Sequence, residues 1–318
     1  MTLARFVAQR VVGALAFVLV VASLAFLLAL MAPGTPADEI GLDPGQRAAL
    51  RAELGLDRPL WAQYGRWLAG LPRLDLGRSS LYRRPVADLI GERVRNTAIL
   101  ALAALLVATA IGIPLGCYTG VARGWLARVA RVVSLVLLSL PPLVGSVLLV
   151  LAAAVTGWVP AGGMTSGDRQ GSAWWLDVLR HLPVPTLALA LPVAAVLERL
   201  QSRSIAESAA QPFVHASLAR GRTRDDAVRV HAWPVSLAPV IGVYGVIVAS
   251  LFSGSFVVEA VTSWPGLGRL LVDAMHARDV WLVAGCGAAG AAFLSVATLA
   301  ADIAHAAIDP RVLREPTA

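Results

Sequence analysis

The residue types that usually carry chemistry are few and scattered in this sequence. No H-E-x-x-H pattern, nucleophile with an adjacent base, or carboxylate pair occurs within its apolar runs. Cys117 and Cys286 lie singly within such runs, without metal-type spacing. The histidines are equally dispersed, at His181, His215, His231, His276 and His305. We therefore expect no metal centre and no bond chemistry at the chain's own residues.

The absence of lysine excludes one large class of activity. All 27 basic residues are arginine, whereas a phosphate-binding loop of the G-x-x-x-x-G-K-[ST] type places its lysine on the β- and γ-phosphates of ATP. The chain is therefore not expected to hydrolyse ATP in this way by itself. The net charge of +7 does not indicate a nucleic-acid partner either, because the arginines lie between apolar runs and form no contiguous basic domain.

One hydrophilic segment, residues 203–232, has the composition of a docking element. It is rich in charge and is interrupted by Gly221. The pattern predicts a helix, then the glycine, then a second helix, with Gly221 at a positive φ that would strain any other side chain. A short amphipathic helix held outside the bilayer in this way is suited to a groove of another protein.

A membrane bundle must position this segment. Hydrophobic residues make up 57% of the chain and charged residues 15%, with a mean hydropathy of +0.70, which is typical of an integral membrane protein. Apolar runs long enough to cross about 30 Å of hydrocarbon predict six spans. These spans cover residues about 7–32, 97–121, 130–156, 182–202, 234–259 and 280–305.

The span at 182–202 depends on topology, because its apolar run is short and carries three prolines. Without it, the arginine-containing loops on either side would merge and the later spans would reverse. The arginines of the short loops predict that both termini and segment 203–232 face the cytoplasm and that the outer segment 33–95 faces outward. The first span is expected to be retained, since it is too long and too uniformly apolar for a signal peptide.

The outer segment 33–95 is predicted to contain two helices. The first covers 46–54 and is closed by Gly55, and the second begins after Pro59 with Trp67 on its apolar face. Together they form either a cap on the outer surface or a helix in the membrane interface.

Prolines occur inside three of the predicted spans, at Pro114, at Pro141 with Pro142, and at Pro192. Such residues are expected to kink helices and to free backbone carbonyls that a translocation pathway can use. A role in packing alone is the alternative.

Segment 203–232 and the residues after it resemble the inner-membrane permeases of the dipeptide, oligopeptide and nickel class of ATP-binding-cassette importers. The matching positions are Phe213, Val214, Ala219, Arg220, Gly221, His231, Ala232 and Pro239. Blocks similar to the same family lie at 53–60 with 75–79, at 263–271 with 277–279, and at 309–312. The chain departs from the family at 215–218, where Arg-Thr-Ala-Arg is usual, and at Val235, where asparagine is usual.

The resemblance implies an all-α integral membrane protein, with a six-helix transmembrane bundle of the type I importer kind, a helical outer segment after the first span, and a single permease domain, 1–318. It also implies that Phe213 inserts into a groove of an ATPase subunit; packing of Phe213 against its own bundle is the alternative. The implied coupling residues are Phe213, Val214, His215, Ala216, Ser217, Ala219, Arg220 and Gly221. The implied outer-loop motif consists of Trp264, Pro265, Gly266 and Gly268.

The partners that the resemblance implies are a second homologous permease, two ATPase subunits that bind ATP and magnesium, an extracytoplasmic substrate-binding protein and the bilayer of a bacterial inner membrane. The chain itself is expected to be no enzyme and to bind no cofactor. Its expected function is peptide import. The alternatives are a permease for nickel or another small solute, an ion-coupled secondary transporter and a structural subunit. Ion coupling has little support, since Glu198 and Glu259 are expected at helix ends and, among the acidic and histidine residues, only Asp302 and His305 lie inside a predicted span, near its cytoplasmic end.

Overall fold

The computed structural model describes residues 3–31, 43–53, 57–166 and 174–308. These residues form helices, and no β-strand occurs in the described ranges, so the all-α prediction is confirmed. The helices are α1 (Leu3–Met31), α2 (Pro44–Glu53), α3 (Leu60–Gly70), α4 (Val86–Val121), α5 (Trp125–Ser139), α6 (Pro142–Thr156), α7 (Trp174–His181), α8 (Pro183–Ala209), α9 (Pro212–Ala219), α10 (Arg224–Ala227), α11 (Trp233–Ile241), α12 (Tyr244–Val261), α13 (Leu267–His276) and α14 (Val280–Ile308).

Five helices, α1, α4, α8, α12 and α14, are long and apolar enough to cross a membrane. A sixth candidate is the pair of α5 and α6, which bend by 108° at the break between them. By length and composition alone, the described residues therefore contain five spans, or six if the bent pair is one span. Two helix bounds differ from expectation. Helix α4 begins at Val86, inside the segment assigned to the outer surface, and the span expected at 234–259 is divided into α11 and α12.

The prolines differ in their effect on the helices. At Pro141 and Pro142 the chain leaves α5 and begins α6 in a new direction, as expected of a breaker. Pro114 and Pro192 instead lie inside α4 and α8, which continue through them. Adjacent prolines are more disruptive because they remove two consecutive N–H donors from the helix.

The residues separate into two compact units, of which the larger contains Met1–Leu3, Ile99–Trp264 and Ala297–Ala318. Its central element is α8, which packs against α5, α6, α11 and α12. The apolar core of this unit includes Leu100, Leu189, Leu197, Leu251 and Trp264, all nearly or fully buried. Helix α8 is thus surrounded by protein along most of its length, whereas many side chains of α5 and α6 are exposed.

Three glycines allow α4 to approach α8 closely in the larger unit. A Cβ at Gly112 would lie 2.7 Å from the carbonyl oxygen of Ala194, and one at Gly116 would lie 2.6 Å from that of Glu198. A Cβ at Gly120 would collide with Ser202 and Ile205. The spacing G-x-x-x-G-x-x-x-G is a known signal for close helix packing in membranes, and it was available in the sequence.

These contacts show in which direction α4 and α8 run relative to each other. Successive glycines of α4 meet successively later residues of α8, so the two helices run parallel. The intervening chain must therefore return from the C-terminal end of α4 to the N-terminal end of α8. This return includes α5 and α6.

The smaller unit contains Ala4–Ala98 and Pro265–Val296. Its core is aromatic, with the rings of Phe26 and Trp67 stacked at a centroid distance of 5.1 Å. The hydroxyls of Ser23 and Tyr64 share a hydrogen bond of 2.8 Å. Helix α3 therefore packs on α1 through Tyr64 and Trp67, while Trp61 is 77% exposed. The predicted cap at Gly55 lies outside the described residues.

Candidate functional site

Helix α9 lies in the segment predicted to dock another protein. Pro212 occupies its first turn, where a missing N–H costs no hydrogen bond. The helix ends at Gly221, whose φ is +88°. The Gly221 N–H donates to the Leu218 carbonyl at 2.9 Å, and the Arg222 N–H donates to the Ser217 carbonyl at 3.4 Å. This is the Schellman arrangement, and it confirms the positive φ expected of Gly221.

A second helical piece follows the glycine at once, as predicted. Thr223 caps α10 by accepting a hydrogen bond from the Asp226 N–H at 3.3 Å. Arg222 and Asp226 form an exposed ion pair at 3.1 Å. A π-helical turn, Val228–Ala232, then leads directly into α11. The segment is therefore a defined helix-glycine-helix unit rather than an irregular loop.

The coupling residues divide between two faces of α9. Val214 and Ser217 are buried, and Val214 packs in a small apolar cluster with Ile205, Ala227 and Ala232. Because 214 and 217 are one turn apart, their face attaches α9 to its own unit. The residues of the opposite face are exposed, namely Phe213, His215, Ala216, Ala219, Arg220 and Gly221.

Phe213 is the large apolar group on the exposed face, and its side chain is 41% exposed. Part of the ring is therefore open to a partner, while the rest is covered by its own chain. Phe213, Ala216 and Arg220 follow one another at helical spacing and form a surface with an aromatic ring at one end and a guanidinium at the other. This surface can bind in a groove of another protein. It contains no acid, base and nucleophile arranged for catalysis.

A buried polar cluster lies behind the coupling segment. The Gln201 amide donates to the Ser236 hydroxyl at 2.8 Å, and the Ser204 hydroxyl donates to the Ser236 carbonyl at 2.7 Å. Thr119 donates to the carboxylate of Glu198, a residue that is 2% exposed. These bonds join α4, α8 and α11. Glu198 was expected merely at a helix end, and no local pattern reveals its partner.

The outer-loop residues Pro265, Gly266 and Gly268 fix the start of α13 in the smaller unit. The Pro265 carbonyl accepts a hydrogen bond from the Asn96 amide at 2.8 Å. Gly266 is the N-terminal cap residue of α13, and Gly268 is buried in its first turn. The Leu267 N–H donates to the Thr97 hydroxyl at 2.8 Å. These contacts are structural, since they hold α13 beside the first third of α4.

Trp264, the remaining residue of the outer-loop motif, is fully buried in the core of the larger unit. It follows Ser263, whose φ of +55° reverses the chain after α12. In the same region the Gly163 N–H donates to the Thr262 carbonyl at 2.8 Å. The motif thus places one aromatic anchor in the larger unit, and its role there is packing.

Two other family-like blocks meet in the smaller unit. Ser79 belongs to the block at 75–79, and Asp279 belongs to the block at 277–279. The Ser79 hydroxyl and the Leu81 N–H both donate to the Asp279 carboxylate, at 2.7 and 3.1 Å. The block at 309–312 lies outside the described residues. Among the residues that are described, no group of three His, Cys, Asp or Glu side chains is placed to hold a metal ion.

Comparison with known proteins identifies the family. Residues 112–314 match the profile of the binding-protein-dependent transport system inner membrane component. Residues 3–101 match the N-terminal part of the binding-protein-dependent transport system membrane component.

Relatives of known name are similar over nearly the whole chain. The dipeptide transport system permease protein DppB of Escherichia coli (strain K12) is 32% identical over 314 residues, which cover 91% of this chain and 93% of the relative. A candidate peptide transport system permease protein of Brucella abortus (strain 2308) is 35% identical over 310 residues, which cover 96% and 97%. With its apolar helices, this chain belongs to the binding-protein-dependent transport system inner membrane components, the membrane permeases of ATP-binding-cassette importers.

Proposed function

We propose that this chain is the translocation subunit of an importer of short peptides and that the exposed face of α9 docks on a separate ATPase. The observation that carries the docking role is the division of α9 into an attached face and an exposed face that presents Phe213. Relatives named for peptide and dipeptide transport support the substrate. No group on this chain is assigned a step of ATP hydrolysis.

In this proposal the permease contributes a change of shape and no bond chemistry. Two ATPase subunits close on ATP and magnesium, and their movement displaces α9. Because Val214 attaches α9 to residues of α8 and α10, the displacement passes into the membrane bundle. A second homologous permease completes the path across the bilayer, and an extracytoplasmic binding protein delivers the substrate. Alternation between inward-facing and outward-facing states then moves the peptide inward.

The proposed topology places both termini and segment 203–232 in the cytoplasm, and segment 57–84 outside. It follows from the arginines of the short loops and from counting α5 and α6 as one crossing, which fits the parallel run of α4 and α8. Cysteine labelling in intact cells tests it, with Arg222→Cys inside and Trp158→Cys outside; Trp158 is 88% exposed. An impermeant reagent is expected to label position 158 alone, and labelling of position 222 from outside contradicts the proposal.

Uptake measurements test the substrate. The chain and the subunits encoded beside it are expressed in a host that lacks its own peptide importers, and uptake of labelled dipeptide and of labelled nickel is compared. Dipeptide uptake that requires both this chain and ATP is the expected result. Uptake of nickel without dipeptide would favour the second candidate, a metal permease of the same family. Uptake driven by an ion gradient without ATPase subunits would contradict the proposed coupling.

A further inference from the structure

A cavity of about 400 Å³ lies in the larger unit, at the break between α5 and α6. Its wall includes Leu138, Pro141 and Pro142 at the break, Leu189 and Pro192 of α8, and Gly254 of α12. Three helices therefore meet at this point without filling the space between them. The volume lies within the range of about 300–1,000 Å³ that is usual for ligand sites.

The cavity lies at membrane depth. Leu189 and Pro192 are six and nine residues after Pro183, the first residue of α8. At about 1.5 Å per residue they lie roughly 9 and 14 Å along a helix that is about 40 Å long. The hydrocarbon core is about 30 Å thick. This part of the wall thus lies within the hydrocarbon, in the half of the span nearer the N-terminal end of α8.

The backbone at the break lacks helical partners. Pro142 has no N–H, so the carbonyl of Leu138 receives no hydrogen bond from the residue four positions later. Within α8, Pro192 likewise has no N–H, so the carbonyl of Ala188, four positions earlier, lacks that helical donor. Irregular backbone inside a membrane is tolerated where it is buried in protein or lines a water-filled space. A cavity of this volume has room for about a dozen water molecules, at roughly 30 Å³ each.

We propose that this cavity is a binding pocket for an apolar side chain of a peptide in transit. The proposal rests on peptide import as the proposed function and gives that function a place in the bundle. The prolines and leucines of the wall form the apolar surface that such a side chain needs. The Leu138 carbonyl, freed at the break, suits an N–H group of a peptide, which must exchange water for another partner at this depth.

Gly254 provides the sharpest test because its missing side chain keeps the pocket open. A Cβ at this position would lie 3.2 Å from Leu189 Cδ2 and 3.9 Å from Pro142 Cγ. The Gly254→Leu side chain would therefore project into the pocket. Gly245 offers a matched control on the same helix, since a Cβ there meets only the Ala301 Cβ, at 4.0 Å. Positions 245 and 254 face opposite sides of α12.

The experiment uses the transporter assembled with its partner subunits in liposomes, with labelled dileucine and diglycine as probes. Gly254→Leu is expected to lower dileucine uptake about tenfold and to leave diglycine uptake within about twofold, because only dileucine needs the pocket. Gly245→Leu is expected to change neither. Equal loss of both probes, or loss of neither, in an assembled Gly254→Leu complex overturns the pocket. If the wild-type complex imports neither dipeptide, the proposed function fails first, and this inference fails with it.

A second measurement decides the case in which Gly254→Leu does not assemble. Gly254→Cys is expected to react with a water-soluble methanethiosulfonate reagent in the assembled complex, and dileucine is expected to slow that reaction. Gly245→Cys and the wild-type chain, with its own Cys117 and Cys286, give the background. An unreactive thiol at position 254, or one that dileucine does not protect, overturns the proposal.

Discussion

The Ser79 hydroxyl donates a hydrogen bond of 2.7 Å to the carboxylate of Asp279, a residue 200 positions later in the chain. Asp279 is fully buried and also accepts from the N–H groups of Leu81 and Leu282, both at 3.1 Å. One side chain thus caps α14 and holds the turn that precedes α4. The sequence around Ser79 and the sequence around Asp279 do not predict this hydrogen bond, because the two residues meet only in the folded unit.

Asp279→Ala is expected to destabilise the protein by about 2–4 kcal/mol, because three donors lose their acceptor, two of them in buried bonds. Ser79→Ala is expected to cost less, about 1–2 kcal/mol, since the two backbone donors keep their partner. Thermal unfolding of the purified protein in detergent measures both effects. Asp57→Ala is the control, because Asp57 is exposed and its loss is expected to stay within about 0.5 kcal/mol. Equal stability of Asp279→Ala and Asp57→Ala would contradict the assignment.

Gly116→Leu is expected to prevent the close packing of α4 on α8. Its Cβ would lie 2.6 Å from the carbonyl oxygen of Glu198 and 2.7 Å from Gln201 Cβ, and the backbone cannot yield without separating the helices. The expected cost is about 3 kcal/mol, visible as a loss of folded protein in the membrane. Gly91→Leu is the matched control on α4, because nothing lies within 4 Å of a Cβ there. Similar amounts of both variants would show that the close approach is dispensable.

Phe213→Ala is expected to weaken association with the ATPase subunits by about 2 kcal/mol, or roughly thirtyfold in Kd. The amount of folded permease should not change, because the ring is already partly in water. Co-purification of the ATPase subunits and peptide uptake are the measurements. Val246→Ala removes another exposed apolar side chain, 72% exposed on α12, and is expected to change neither. Undiminished association of the Phe213→Ala variant would remove the docking role of α9.

Substitutions at Gly221 separate backbone strain from crowding. A Cβ at this position has no neighbour within 4 Å, yet the φ of +88° disfavours most side chains. Gly221→Val is expected to cost on the order of 1–2 kcal/mol and to misdirect α9, with loss of uptake. Gly221→Asn should retain most of the uptake, because asparagine tolerates left-handed backbone. If both variants transport equally well, the conformation at this glycine has no part in coupling.

Local sequence patterns predicted the helices and turns whose structure depends on neighbouring residues in the chain. The apolar runs indicated the helices, and the glycine in a charged segment indicated the reversal after α9. The resemblance to a permease family supplied the docking role of Phe213, and the structure adds that its ring is exposed. The sharp bend at Pro141 and Pro142 was foreseen as a kink, but its extent depends on the packing of α5, α6 and α8.

Contacts between distant residues could not be predicted in this way. The bond between Thr119 and Glu198 and the cluster around Ser236 join helices that are separated by long stretches of chain. A single sequence records each residue type but not its partner. The glycines at 112, 116 and 120 are the exception, because their spacing alone was a usable signal for close packing.

Helix α8 runs without interruption from the cavity wall at Pro192 to Ala209, just before α9. Those eighteen residues form a stiff rod of roughly 25 Å. If α8 pivots by about 10° at its cytoplasmic end, the wall at Pro192 shifts by roughly 4–5 Å, which is about the size of one side chain. If an ATPase docks on α9 as proposed, this rod acts as a lever that converts a small rotation at the docking site into the opening or closing of the proposed pocket. The glycines of α4, pressed against the same rod, make α4 move with it.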